Sequence, residues 1–511
     1  MPQYLTPGVY VEEVDSGSRP IEGVATAVAA FVGLAKSGPL NEPTLVTNWT
    51  QFVTTFGDFT EGSYLAHAVY GYFMNGGGVA YIVRIGNEGD TPLARGELTT
   101  GSGAAKKPAY QVEALGAGEA GNDITVEIEP KTGEGASEDS FKLVVKKGGK
   151  VEETYDDVST KGGSKNAVKV VNAQSKLIKL AEPASGSVER LSKANVSLSG
   201  GGGSAAPARL EPADFIGDGA ARTGLGGLEA YDEVTMVIVP DAMSAYEAGM
   251  IDLEQLKAVQ LGIITHCELM GNRVAILDPP KGYNAQLIKD WRMEKAGYDS
   301  KQATLYWPWI KVSDPLSGKN IFVPPSGHVA GVWANTDNTR GVHKAPANEV
   351  IRGAVDVELK ITGGEQGLLN PEGINCIRAF AGRGIRIWGA RTLSSDPAWK
   401  YINVRRLFNY IESSIKGATD WAVFEPNDQA LWAKLRRTIA SFLVMEWRKG
   451  ALFGMTPAEA FYVKCDDENN PAEGLDLGQV VVDIGVAPVK PAEFVIFRVA
   501  QLQGGTSLVA E

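Results

Sequence analysis

Apolar residues recur along this chain with two periods, and both are clearest between Asn370 and Ala500. Ile385, Ile387 and Trp388, interleaved with Arg383 and Arg386 and followed by Arg391, alternate like a strand with one buried face. Asp396-Pro397 then offers a helix start, with Asp as the capping residue and Pro at the first helical position. Val404, Leu407, Phe408, Ile411 and Ile415 recur at three- and four-residue spacing, which predicts an amphipathic helix closed by Gly417. A second helix starts near Asn427 or Asp428, with Leu431, Leu435, Ile439, Phe442 and Leu443 as its core face, and ends at Gly450. Strands running to the end of the chain complete the segment.

Upstream, Val24 to Val32 reads as an apolar strand, and Asn48 to Phe56 and Ser63 to Asn75 as helices. Gly76-Gly77-Gly78 breaks the second helix, and Val79 to Ile85 is another strand. The glycine triplet is no phosphate loop, since no Lys-Ser or Lys-Thr follows and the order is helix to strand. From Tyr231 the pattern tightens. The apolar runs Val234 to Val239, Arg273 to Leu277 and Thr304 to Val312 alternate with helices over Ser244 to Met270 and Asn284 to Ala296. Buried strands alternating with helices predict a parallel α/β sheet. Asp314 to Asn320 is a turn, and Pro324 to Pro346 reads as a long polar connection, either functional or packed on a partner.

Between these parts the composition changes. Only Tyr110, Phe141 and Tyr155 supply aromatic rings from residue 87 to 214, while lysine and glycine are frequent. Asp123 to Glu129 and Phe141 to Lys147 alternate like solvated strands, and Gly200 to Ser204 is a flexible link. This predicts a small β module inserted into the core domain. The run Lys146 to Lys150 raises the idea of a polyanion patch, but interspersed Glu and Asp favour an ordinary solvated face. At the other end, Val9 and Val11 alternate with Tyr10 and Glu12 as one strand, tethered by Asp15 to Pro20. A lone tethered strand is stable only when paired with a sheet edge, its own or a neighbour's.

Charge and chemistry narrow the function. A formal charge of −12 argues against nucleic acid as a partner. Cys267, Cys376 and Cys465 stand far apart with no CxxC pair, so neither a disulfide framework nor a metal site is predicted. The N-terminus has neither a basic start nor an apolar run, and the apolar stretch from Val24 to Ala35 falls short of the roughly 20 residues of a membrane span. Synthesis in the cytoplasm without membrane insertion is therefore expected. One enzyme reading exists. Asp241 and Asp278 end apolar strands, where α/β proteins bind ligands, and Lys281, His328 and Asp337 could join them in a hydrolase or transferase site. No GxSxG, GxGxxG or HExxH pattern supports it, and aspartate at a strand end is commonly a cap or turn former.

Three stretches carry a family resemblance: GRGIRIWGARTLSSDPAWKYINVRRLFNYIE from Gly382 to Glu412, Phe424-Glu425-Pro426-Asn427, and GALFGMTPAEAFYVKCD from Gly450 to Asp466. With Tyr4 to Glu13, they resemble the contractile tail sheath proteins of phage tails, tailocins and related contractile injection systems. The resemblance implies a structural assembly protein without catalytic, cofactor or metal residues. It implies a helical sheath of stacked, six-fold rings around an inner tube protein, joined to baseplate and terminator or cap proteins, in a virion tail or a contractile particle. It also implies arms that pair with neighbouring subunits: Val9, Tyr10 and Val11 at one end, Val495, Phe497 and Val499 at the other.

The predicted architecture is an α/β core (a mixed sheet with flanking helices) over 21–86 and 215–395. An inserted small β-rich domain covers 87–214, an α+β C-terminal domain 396–511, and extended arms include residues 1–20. On the second C-terminal helix, Lys434, Arg437, Ser441 and Arg448 fall on one stripe away from the apolar face. By resemblance, Lys434, Arg437 and Arg448 are expected to face acidic groups of the inner tube.

Overall fold

A computed structural model describes residues 20–86, 93–100, 107–117, 121–131, 139–182, 191–201 and 210–499. Val9, Tyr10 and Val11, expected to form an N-terminal strand, lie outside the described residues. The first segment contains β1 (Val28–Gly33), β2 (Thr44–Val46), α1 (Trp49–Phe56), α2 (Leu65–Met74) and β3 (Val79–Arg84). β1 starts later than the apolar run, because Val24 leaves the ladder and donates its N–H to the Ser414 hydroxyl at 3.1 Å. α1 is capped by Asn48, whose side chain accepts from the Gln51 N–H at 2.8 Å.

Next come β4 (Leu93–Thr100), β5 (Lys107–Ala117), β6 (Ile124–Pro130), β7 (Ser140–Lys147), β8 (Lys150–Ser159), α3 (Ala167–Gln174), β9 (Ile178–Ala181) and β10 (Ala194–Ser197). They form two antiparallel sheets, β4-β5-β9 and β10-β6-β7-β8. Their inner faces close one apolar cluster, from Ala94 to Leu198, that contains no residue from outside this stretch. Several of its lysines are matched by acids. Lys146 lies 2.6 Å from Glu127, Lys131 2.8 Å from Asp157 and Lys142 2.9 Å from Asp156. Such exposed pairs add little to stability and balance the charges they contain.

The chain then returns through α4 (Pro212–Ile216), β11 (Met236–Ile238), α5 (Asp241–Glu247), α6 (Leu253–Met270), β12 (Val274–Leu277), α7 (Ala285–Asp290) and β13 (Ala303–Trp307). β14 (Ile310–Ser313), β15 (Asn320–Val323), α8 (Ser326–Arg340), β16 (Ala354–Val357), α9 (Gly363–Leu369), β17 (Ile374–Phe380) and β18 (Gly384–Ile387) follow. The central sheet has eight strands in the order β18-β17-β13-β12-β11-β1-β3-β2. Pairing is parallel from β17 to β3 and antiparallel at both edges, so the sheet is mixed. Alternate residues of β1 serve opposite faces: Ala30 and Val32 join one apolar cluster, Ala29 and Phe31 the other. A sheet buried on both faces explains the continuous apolar runs.

Several elements differ from the sequence expectation. The single helix expected over Ser244 to Met270 is two, α5 and α6. Gly249 takes φ +70° between them, and Asp252 caps α6 in a reciprocal pair with Gln255. The single strand expected over Thr304 to Val312 is also two, because Pro308 has no N–H for a ladder. β14 leaves the central sheet and pairs with β15 and β16 instead. The supposed polar connection from Pro324 to Pro346 is largely α8. This helix shows no amphipathic period because it is buried almost all round. Gly327 and Gly331 let it lie against α2; a Cβ on either would come within 2.4 Å of Ala68 Cα or the Tyr72 carbonyl oxygen.

The C-terminal part comprises α10 (Ile402–Thr419), α11 (Gln429–Arg448), α12 (Pro457–Ala460), β19 (Phe461–Lys464), α13 (Ala472–Asp476) and β20 (Asp483–Val486). Asp396 caps only a short 3₁₀ turn, Pro397–Trp399. α10 begins afterwards and runs straight through Gly417, which therefore does not cap it. At the end of α11, by contrast, Gly450 takes φ +81°. Leu407, Ile411, Ile439, Phe442 and Leu443 join the two helices in one cluster that also receives Ile21 and Val342.

Candidate assembly surfaces

β19 and β20 form a two-stranded antiparallel ribbon, with Phe461 opposite Val486 and Lys464 opposite Asp483. Among the described residues neither strand has a second neighbour. The ribbon's inner side packs on α11 through Phe461, Val463, Val482, Ile484 and Val486. An unpaired strand edge presents outward N–H and C=O groups to which a further strand can add.

The chain beyond β20 supplies the complementary feature. Phe494, Val495, Ile496, Phe497 and Val499 are all exposed, Phe497 at 86% and Val499 at 94%. From Phe494 to Val499 no residue belongs to a strand or hydrogen-bonds another described residue. Five large apolar side chains in six residues exceed what a soluble surface usually exposes as single residues. The root of this segment lies beside a groove of about 820 Å³ between α8, α9 and the start of α10.

On α11, Asp428 caps the first turn by accepting from the Leu431 N–H at 2.8 Å, and Leu431, Leu435, Ile439, Phe442 and Leu443 are buried. Arg437, Ser441 and Arg448 are exposed on the other side. No ion pair or side-chain hydrogen bond joins Arg437 or Arg448 to a described residue. Lys434 differs from them. Its ammonium lies over the Trp421 ring, 4.0 Å from the centroid, and is partly buried there. Glu446 is buried on the far side of α11, bonded by the Tyr410 hydroxyl at 3.1 Å and Lys449 at 2.7 Å, so it does not neutralise the stripe.

Sequence reasoning overlooked the loop before α11. Phe424 is fully exposed and takes φ +67°, a costly backbone for an aromatic residue. Val423 beside it is 64% exposed. No periodic signal marks an apolar residue in a connecting loop; its place within the Phe-Glu-Pro-Asn stretch was the available cue.

The enzyme reading loses its site. Asp241 is sealed: its carboxylate accepts from the Leu34 N–H at 2.6 Å, from the Tyr64 N–H, and from the Ser63 and Ser244 hydroxyls. Asp278 accepts from the Ser326 N–H at 3.0 Å and from its hydroxyl. Burial raises the two carboxyls to about 6 and about 7, against the opposing pull of these hydrogen bonds. Both aspartates tie strand ends to helix starts. The other three candidates are committed elsewhere. Asp337 pairs with Arg406, Lys281 lies over the Trp309 and Phe322 rings, and His328 is enclosed, with burial pushing it down to about 3. No set of three or more His, Cys, Asp or Glu among the described residues is placed to hold a metal. No helix among them is long and apolar enough to cross a membrane.

The chain is similar to known proteins over most of its length. Residues 230–393 match the phage tail sheath protein central domain, and residues 394–501 match the phage tail sheath C-terminal domain. The two matches are consecutive and together span just over half of the chain. The tail sheath protein of Burkholderia phage BcepMu is 25% identical over 507 residues, covering 95% of this chain and 94% of that protein. The tail sheath protein of Vibrio phage KVP40 is 30% identical over 186 residues, but this covers only 36% of the chain and 27% of that relative's length. Among solved structures, the helical sheath of the anti-feeding prophage in its contracted state aligns over 97% of this chain and 99% of its own, with a TM-score of 0.60 at 24% identity.

Proposed function

The chain belongs to the phage tail sheath family, and from that premise we infer that it is the repeating structural subunit of a contractile sheath. Copies polymerise helically around an inner tube, and contraction of the lattice drives the tube through a target envelope. The observation that carries this reading is the match to both sheath domains, in order, over residues 230–501. Catalysis has no part in it, since the energy is stored in the extended lattice as it assembles and no cofactor is required.

The contacts follow from the surfaces described. The N-terminal strand residues Val9, Tyr10 and Val11, and Val495, Phe497 and Val499 of the C-terminal arm, pair with neighbouring subunits. The unpaired edges of β19 and β20 support this, because they offer backbone partners and the arm offers an apolar segment without any among the described residues. Lys434, Arg437 and Arg448 face acidic groups of the inner tube protein. Each such exposed contact is worth only about 0.2–1 kcal/mol, but a ring of subunits repeats it. Residues 87–214 form an inserted domain on the outside of the sheath, supported by an apolar cluster that is complete within Ala94 to Leu198. Stacked six-fold rings, a baseplate at one end and a terminator or cap at the other complete the particle, which forms from subunits made in the cytoplasm.

The test is co-expression of the chain with its inner tube protein, followed by negative-stain microscopy. Tubes or stacked rings are expected. Discrete small oligomers at every concentration would refute the proposal.

A further inference from the structure

The C-terminal arm leaves the body at one carboxylate. Glu493 Oε1 accepts from Arg391 Nε at 2.8 Å and from Asn370 Nδ2 at 2.7 Å. Its Oε2 accepts from Arg391 Nη2 at 2.7 Å and from the Tyr401 hydroxyl at 3.1 Å. All four acceptor directions of the carboxylate are therefore filled, two of them by a fork-to-fork contact with one guanidinium. The pair is shielded, with the Arg391 side chain 7% and the Glu493 side chain 19% exposed. Beyond Glu493, no residue to Val499 hydrogen-bonds the rest of the described chain.

Arg391 is itself fixed. Its N–H donates to the Asn375 side chain at 2.7 Å and its carbonyl accepts from that side chain at 2.8 Å. Asn375 is fully buried in β17, within the central sheet. A third nitrogen of the guanidinium, Nη1, holds the Asn370 carbonyl at 3.0 Å. Tyr401 stands at the entrance of α10. An unbroken chain of short, directional contacts thus runs from the arm's root into the parallel sheet and the first C-terminal helix. The clamp favours an ionised carboxylate. Burial alone would raise the Glu493 carboxyl, but the Arg391 and Asn370 hydrogen bonds and the Arg391 charge outweigh it and hold it below the usual range.

We propose that Glu493 is the anchor of the C-terminal arm, a positioning residue that fixes the arm's point of departure and passes load from a neighbouring subunit into the central sheet through Arg391 and Asn375. The proposal rests on the reading of Phe494 to Val499 as an exchanged strand. A strand that must find a neighbour's edge gains from a rigid root, because fewer orientations are lost when it pairs. A root that slipped under tension would uncouple subunits whose arms were still paired.

The test uses full-length chain and three kinds of variant. Glu493→Gln keeps the shape of the anchor and removes its charge. A chain truncated after Glu493 keeps the anchor and removes the arm. Asn370→Ala and Tyr401→Phe each remove one donor and leave the ion pair. The readouts are the critical concentration for sheath formation, the monomer's melting curve, and the mobility of a nitroxide placed at Ala492→Cys beside the root. Glu493→Gln is expected to raise the critical concentration at least tenfold and to free the label, which general destabilisation of the core would not do. The two donor variants are expected to raise it a few-fold. Parent-like assembly and an immobile label in Glu493→Gln would overturn the anchor. If that variant fails to fold, parent-like assembly by both donor variants would overturn it instead. Normal sheaths from the truncated chain would refute the exchanged-strand reading, which is a separate failure.

Discussion

A buried ion pair between Asp337 on α8 and Arg406 on α10 links the α/β core to the C-terminal helices. Arg406 Nη1 donates to Oδ1 at 2.9 Å and Nη2 to Oδ2 at 2.6 Å, and the side chains are 4% and 2% exposed. The guanidinium also donates to the Thr26 carbonyl at 2.9 Å and lies 4.7 Å from the centroid of the Trp333 ring. Asp337→Ala would leave that charge buried with only a carbonyl and a π-face for company. Removing one partner of such a pair costs about 3–5 kcal/mol, because an uncompensated charge remains. Replacing both partners by apolar residues, as in Asp337→Leu with Arg406→Met, removes the charge and its desolvation together. It should cost much less than the single change. An internal control is Lys464–Glu468, whose side chains are 38% and 79% exposed, so Glu468→Ala should leave the urea midpoint nearly unchanged. Equilibrium urea unfolding, read by tryptophan fluorescence, measures all three. A loss below about 1 kcal/mol for Asp337→Ala would refute the assignment of a buried, tightly coupled pair. So would a double variant that is less stable than the single one.

Three further outcomes are expected. Deleting residues 1–18 should abolish polymers and leave a soluble monomer that melts cooperatively; full-length sheaths from that chain, or no melting transition, would count against a neighbour-paired arm. Reversing Lys434 and Arg437 to Glu should leave the monomer folded yet stop assembly on the tube, and the parent contact should weaken with salt; salt-insensitive co-assembly by the double variant would show a merely solvated stripe. Burial raises Asp278 to about 7 in the folded chain, above the ordinary value near 3.9, so its contribution to stability falls as pH rises from about 4 to 7. Asp278→Asn should therefore flatten part of the stability profile across that window, with the rest left to Asp241. An unchanged urea midpoint profile would mean that the carboxyl is not held protonated.

What could be read from the chain depended on whether one face of an element was wet. The apolar period of α11 and the continuous runs of β11 and β12 were legible because a helix half in water and a strand buried on both faces leave distinct patterns. α8 left none, since glycines and small residues pack it on nearly every side and its polar groups are satisfied inside. Contacts between distant segments were equally silent. The spacing of Lys434 and Arg437 located a face but could not reveal Trp421 lying under one of the two cations. Glu493 lies 102 residues from Arg391, and no local pattern joins them. The C-terminal arm is the instructive case. Phe494 to Val499 is apolar enough to be a core strand, and in most chains a core is where such a run goes. Here it lies exposed while its root is clamped by four hydrogen bonds. An apolar run fixed at one end and left uncovered by the described residues is the feature on which the proposed pairing with another copy rests.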